Sequence, residues 1–297
     1  MKRIKQTGSD LAFDIVNTFL LILVLIVIIY PLYVVLISSV SSAQAVNAGE
    51  VRFRPVDFSW QGYILILQGS DIWIGYRNTI LYTFFGTLLN LTVTLLAGYS
   101  LSRKDLKGRG IFMAFFVFTM YFSGGLIPTY ILVNKIGLYN TPYVLIVIAA
   151  MSVYNLIIAR TFFQMTIPQE LLESAFMDGC GNFKFFIKIV LPLSSALVAV
   201  LALYYGQAHW NNFFNALIYL SKRTLYPLQL FLRNILVMNQ NINMESGASP
   251  EEVEIRLQYA ETIKYGLIVL ASFPVLVVYP FLQKYFVKGV MIGSIKG

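Results

Sequence analysis

The apolar residues of this chain are gathered into long runs, and those runs limit its fold more than any other feature. Six are readable, at about residues 15–40, 78–102, 111–134, 141–164, 190–220 and 263–286. Each is long enough to cross a bilayer core, which takes roughly 20 residues of helix. Hydrocarbon offers backbone N–H and C=O groups no partner, so such a run must satisfy them internally, as a helix. Of the 297 residues 58% are hydrophobic and 12% charged, where a soluble domain carries roughly a quarter charged. The expected fold class is all-α and integral to a membrane, with about six transmembrane helices. One transmembrane domain is expected over 1–297, with a first helix at about 15–40 and core helices over about 78–286.

Lys2, Arg3 and Lys5 before a run ending near Ser41-Ser42-Ala43-Gln44-Ala45 mimic a secretory signal and its cleavage site. The run exceeds the roughly 7–15 residues of such a segment, so a retained first helix is expected. Pro31, Pro128, Pro192, Pro274 and Pro280 lie in or at the ends of runs and mark expected kinks. The net charge is +8, but the basic residues sit mainly in short loops, where they set orientation. The clearest such loop is Arg103–Arg109, which contains Arg103, Lys104, Lys107 and Arg109. On that reading both termini are cytoplasmic, and no nucleic-acid partner is expected. Two long segments then face outward. Residues 41–77 carry Phe53, Phe58, Trp60 and Tyr63, suited to an interface belt. Residues 221–262 begin with Tyr226-Pro227-Leu228-Gln229, where Pro227 can open a short helix, and turn acidic through Glu245, Glu251, Glu252 and Glu254.

Several chemistries are excluded. No Asp or Glu lies within the six runs, which argues against an ion-coupled secondary carrier, since a proton or cation needs a site at membrane depth. His209 is the one ionisable candidate well inside a run, and a single histidine gives no convergent catalytic set. Cys180 is the only cysteine, so neither a disulfide nor a thiolate metal site can form. The chain lacks Gly-x-x-x-x-Gly-Lys-Ser/Thr and cannot use a P-loop for ATP. Uphill transport would need energy from another chain.

The segment between the fourth and fifth runs reads Thr166-Ile167-Pro168-Gln169-Glu170-Leu171-Leu172-Glu173-Ser174-Ala175-Phe176-Met177-Asp178-Gly179. Thr166 is the expected N-cap with Gln169 at the capping-box position, and Pro168 fits the first turn. Ile167, Leu171, Leu172, Ala175 and Phe176 form one stripe, and Gly179 offers a left-handed stop. A short amphipathic helix is expected, within a loop of about 166–192. By periodicity alone it could equally lie in the headgroup layer.

Glu173-Ser174-Ala175, three residues, Gly179, nine residues, then Ile189-Val190-Leu191-Pro192 resembles the EAA loop of ABC importer permeases. The family pattern is Glu-Ala-Ala, three residues, Gly, nine residues, Ile-x-Leu-Pro. The one departure is Ser174 for the first alanine. Asp178-Gly179-Cys180-Gly181-Asn182, Tyr226-Pro227-Leu228-Gln229 and Tyr285-Phe286-Val287-Lys288-Gly289 resemble the carbohydrate-uptake branch, and within it the maltose-permease-like subunits. The similarity runs from about residue 12 to the C-terminus. It implies a type I importer permease fold and import of a carbohydrate, with an oligosaccharide expected.

The resemblance also implies partners: a second permease subunit, two ATP-binding subunits, an extracytoplasmic solute-binding protein and the lipid of a bacterial cell membrane. ATP and Mg belong on the ATPase, and no cofactor or catalysis is expected on this chain. The segment around Glu173–Gly179 would be a coupling helix, with Leu172 and Phe176 as apolar anchors. Ala175 and Gly179 would allow close approach, Ser174 stands in the motif, and Glu173 and Asp178 would make polar contacts. Tyr204, Tyr205, Gln207, His209, Trp210, Asn211, Asn212 and Asn215 gather in the fifth run and suit a sugar's hydroxyls and C–H faces. They suit helix–helix contacts and an aromatic belt as well. Tyr121, Ser123 and Tyr130 in the third run are weaker path candidates. The alternatives are an ion-coupled carrier, or an importer of a non-sugar solute.

Overall fold

The computed structural model describes residues 8–241, 260–277 and 280. Regular structure among the described residues is entirely helical. The chain divides into two compact units, Met1–Gly69 with Asn234–Ser272, and Ser70–Arg233 with Phe273–Gly297.

In the first unit, α1 (Gly8–Ser38) runs unbroken through Pro31. Its side chains from Leu11 to Leu32 are almost all exposed, as suits a helix surrounded by lipid. The expected outer segment begins with α2 (Ala43–Asn47), capped by Ser42, whose hydroxyl accepts from the Ala45 N–H. It continues into α3 (Gln61–Gln68). Phe58 packs edge-on against Trp60, and Trp60 tilts against Tyr63. Ile37, Ala45 and Val51 form a small core. Helix α15 (Ala260–Val277) belongs to this unit up to Ser272 and continues without a break through Pro274. Gly62 lies so close to it that a Cβ would fall 2.4 Å from the Thr262 carbonyl oxygen.

The second unit is built on α4 (Ser70–Ser102), 33 residues long, which is about 50 Å of helix. It starts eight residues before the expected 78, because Asp71 in its first turn suits a helix N-terminus. Packed near it are α5 (Arg109–Tyr121), α6 (Leu126–Lys135), α7 (Tyr143–Val147) and α8 (Val153–Thr166). Then follow α9 (Gln169–Met177), α10 (Asn182–Phe185), a π turn (Phe186–Val190), α11 (Leu191–Leu193), α12 (Ser195–Trp210) and α13 (Phe214–Tyr219). A 3₁₀ turn (Arg223–Leu225) leads to α14 (Leu228–Asn241), which opens directly after Pro227 as its ring predicts.

Three of the six apolar runs are not single helices. The third bends by 112° between α5 and α6. Gly125 has φ 85° and ψ 179°, a backbone open essentially to glycine alone, and Pro128 then sits in the first turn of α6 and kinks nothing. The fourth breaks at residues 148–152, between α7 and α8. In the fifth, the segment Asn182–Leu193 meets α12 at 82°, where Pro192 withdraws an N–H from the ladder. Among the described residues α1, α4 and α15 can each cross a membrane by length and apolarity, and up to five spans result if each bent pair counts as one.

The broken backbone is satisfied by polar side chains of α4. Asn78 Nδ2 donates to the Thr224 and Tyr226 carbonyls at 2.8 and 3.0 Å, and Tyr82 OH donates to the Leu225 carbonyl at 3.0 Å. Thr79 Oγ1 accepts from the Leu228 N–H at 2.8 Å. At the other break Asn90 Nδ2 donates to the Ala149 carbonyl. Tyr205 OH, bonded to Thr94 Oγ1 at 2.7 Å, accepts from the Ser152 N–H at 3.2 Å. Irregular backbone at membrane depth survives only with such partners.

Candidate functional site

Helix α9 starts later than the capping-box reading expects. Thr166 is the last residue of α8, and Pro168 is the N-cap, without a side-chain cap bond. A proline disfavours helix at the residue before it. Ile167 accordingly adopts φ −106°, ψ 100° and separates the two helices. Gln169 instead donates from Nε2 to Glu173 Oε1 at 2.9 Å, one turn along. The helix ends as Gly179 predicts. Gly179 takes φ +74°, its N–H donates to the Phe176 carbonyl at 3.0 Å, and the Cys180 N–H donates to the Ala175 carbonyl at 2.9 Å. These are the two bonds of a Schellman stop.

Four members of the expected stripe face inward, and the fifth, Phe176, is exposed. Ala175 is buried with Tyr99, Phe163, Phe185 and Val190, and Ile167, Leu171 and Leu172 pack around it. The exposed face holds Glu173, Ser174, Phe176, Met177, Asp178 and Gly179. Met177, 89% exposed, is an apolar group on that face that the stripe leaves out, and α9's register against its own core reveals it. Leu172 and Ala175 thus contribute to seating α9 on the chain itself.

Arg103, directly after α4, gathers this region. Its Nε donates to Asp105 Oδ1 at 2.8 Å and its Nη2 to Asp105 Oδ2, while Nη1 donates to Asn182 Oδ1. The guanidinium lies 5.8 Å from the Phe176 ring centre and 5.9 Å from that of Tyr99. The hydrogen bond to Arg103 holds the Asp105 carboxyl below its ordinary range, and the same bond raises Arg103.

Helix α12 divides its polar residues between two faces. Tyr205 and His209 point into the unit. His209 Nε2 lies 2.7 Å from Asn90 Oδ1; because the Asn90 amide nitrogen is committed to Ala149, Nε2 is the donor. Gly86 makes room for that imidazole, since a Cβ there would sit 2.4 Å from His209 Cε1. Trp210 is buried as well. On the opposite face Tyr204, Gln207, Ala208 and Asn211 join Tyr154 and Asn155 of α8 around an open cavity of about 460 Å³. Spacings of three, four and seven residues put the α12 members on one face. Periodicity could have separated these faces in the sequence, but the contribution of α8 could not be read there.

The other candidates stand apart from the cavity wall. Asn212 accepts from the Asn215 N–H at 3.3 Å in the turn after α12. Tyr121 ends α5 at 74% exposure, and Ser123 lies in the break beyond it. Tyr130 stacks on Tyr219. The segment Tyr285–Gly289 and the acidic residues Glu245, Glu251, Glu252 and Glu254 lie outside the described residues, as do Lys2, Arg3 and Lys5.

The cavity lies at one end of α8, and α9 follows the other end of that helix. From the cavity, α8 runs about 15 Å or more to Thr166, and α12 runs about 20 Å back to Ser195, at 1.5 Å per residue.

Known proteins resemble this chain in sequence and in fold. Comparison with models of known protein families gives no match. The chain is 38% identical over 268 residues to the polygalacturonan/rhamnogalacturonan transport system permease protein YtcP of Bacillus subtilis, covering 89% of this chain and 91% of that protein. It is 38% identical to protein LplC of the same organism, covering 82% and 81% of the two chains. It is 25% identical to the arabinooligosaccharides transport system permease protein AraQ of Halalkalibacterium halodurans, over 82% of each. Among solved structures, a chain of a bacterial ABC transporter involved in import of the acidic polysaccharide alginate superposes with a TM-score of 0.84 at 30% identity, covering 95% of this chain and 99% of that one. These likenesses, together with the apolar helices, make the chain a multi-pass bacterial inner-membrane protein that belongs to the family of sugar ABC transporter permeases.

Proposed function

We propose that this permease carries an oligosaccharide through a pore shared with a second permease subunit, driven through α9 by a separate ATP-binding subunit. What carries the reading is the layout of the second unit: α9 follows one end of α8, whose other end walls the cavity together with α12. Along the chain, α8 is the helix that leads from α9 to the cavity wall. The exposed Phe176 and Met177 offer apolar anchors for a docked subunit, flanked by Glu173, Ser174 and Asp178. Two ATP-binding subunits carrying ATP and Mg, and an external solute-binding protein, complete the assembly. The cytoplasmic placement of both termini and of α9 belongs to the same proposal. The cavity wall is aromatic and amide in character and contains no Asp, Glu, Lys or Arg, which suits a sugar's hydroxyls and C–H faces. The polygalacturonan/rhamnogalacturonan, arabinooligosaccharide and alginate carried by the relatives' systems support a carbohydrate.

The test is a Met177→Cys variant in a Cys180→Ser background, crosslinked in membranes, together with Gly179→Asp. A nucleotide-hydrolysing neighbour should be captured at position 177. Asp at a left-handed position, on the exposed face beside α9, should abolish uptake and sugar-stimulated ATP hydrolysis at unchanged membrane levels. Labelling of position 177 from outside, or normal uptake by Gly179→Asp, contradicts the reading.

A further inference from the structure

We propose that Arg103 is a positioning residue that stiffens the glycine joint behind α9, so that motion of α9 is delivered to α4 and α10. The proposal rests on α9 being the docked helix. The joint is Gly179-Cys180-Gly181, and nothing stands within 4 Å of a Cβ built at either glycine. The two closing bonds run from Gly179 and Cys180 back into α9, to Phe176 and Ala175, and neither reaches α10. Apolar packing of Ala175 with Phe185 and Val190 joins the two sides, but such packing is non-directional, and a push on α9 could still be spent in rotation about the joint.

One guanidinium bridges it. Arg103 lies over Phe176 before the joint and donates to Asn182 at the first residue of α10 after it. Its remaining edge is held by both oxygens of Asp105. Only a planar fork with several fixed donors can make these contacts together; a lysine ammonium is a single point charge. Arg103 also extends α4 directly, and α4 holds the α7–α8 break beside the cavity through Asn90 and Thr94. The clamp thus gives α9 a route to the cavity that avoids the glycines.

The experiment uses the whole complex in proteoliposomes and reads uptake and ATP hydrolysis in the same vesicles for Arg103→Gln, Arg103→Lys and Asp105→Asn. A nitroxide at Glu170→Cys in the Cys180→Ser background reports α9 mobility. Arg103→Gln is expected to cut uptake per ATP by about fivefold or more, the scale of a modest coupling energy, while hydrolysis continues. The nitroxide spectrum should show a looser α9. Arg103→Lys should fall between Arg103→Gln and the unsubstituted complex. Asp105→Asn should shift the ratio the same way by less; its side chain is 63% exposed, so this variant keeps the test alive if Arg103→Gln does not fold. The proposal is overturned if uptake and hydrolysis fall in proportion, or if all three variants keep the unsubstituted ratio and spectrum. If the unsubstituted complex shows no sugar-linked hydrolysis, the docking reading itself fails and the clamp with it.

Discussion

Neighbouring residues at the end of α12 have opposite environments, and this separates packing from transport. Trp210 is 7% exposed, whereas Asn211 reaches the cavity. Trp210→Ala should lower thermal stability in detergent by about 3 kcal/mol or more, the usual cost of emptying a large buried site. Asn211→Ala and Gln207→Ala should leave stability unchanged and raise the sugar concentration needed for half-maximal uptake; unaltered uptake would remove this face from the path. Asp105 gives a prediction for pH. Its folded pKa lies below the ordinary carboxylate value, which is about 3.9. The stabilisation it brings is therefore present above that value and lost only as pH falls through the depressed folded pKa. The Glu170→Cys spectrum should stay constant from about pH 8 to pH 5, well above the ordinary carboxylate value.

At the scale of elements, the interruptions matter more than the helices. An apolar run announces itself through its length, but whether it continues as one helix depends on which carbonyls find other partners. Gly125 and Pro128 hold a legible stop signal for α5, but the run stays apolar across it, so by composition the proline reads as a kink. The break at 148–152 has no comparable signal. It exists because Asn90 and Tyr205, 59 and 53 residues away from their backbone partners, supply hydrogen bonds that helix would otherwise provide. Asn90→Leu should destabilise the chain by about 1–3 kcal/mol, leaving the Ala149 carbonyl and the His209 N–H without this partner, and should show as a lower melting temperature. Gly86→Ala should cost a similar amount, about 1–3 kcal/mol, by overpacking against the imidazole. If it melts with the unsubstituted protein, α4 and α12 are less closely apposed than described.

For the whole molecule, the family and the cargo class rest on long-range likeness, and the specific sugar is a matter for the assembled complex. Native purification should bring down a second permease and an ATP-binding subunit. Hydrolysis by that complex, with its solute-binding protein, should rise with one member of an oligosaccharide panel and be indifferent to amino acids. Stimulation by amino acids would overturn the carbohydrate reading.

What this sequence determined by itself was local or compositional: helical spans imposed by hydrocarbon, the stop at Gly179, the helix opened by Pro227, and a motif whose spacing survives along the chain. Each follows from neighbours within a few residues or from the solvent a run requires. Tertiary structure alone decided which side of α9 is free, that Met177 and not Leu172 faces outward, that α8 shares the cavity with α12, and that Arg103 spans the glycine joint. Those outcomes depend on which residues distant in sequence meet in space, and on buried polar groups choosing partners across that distance.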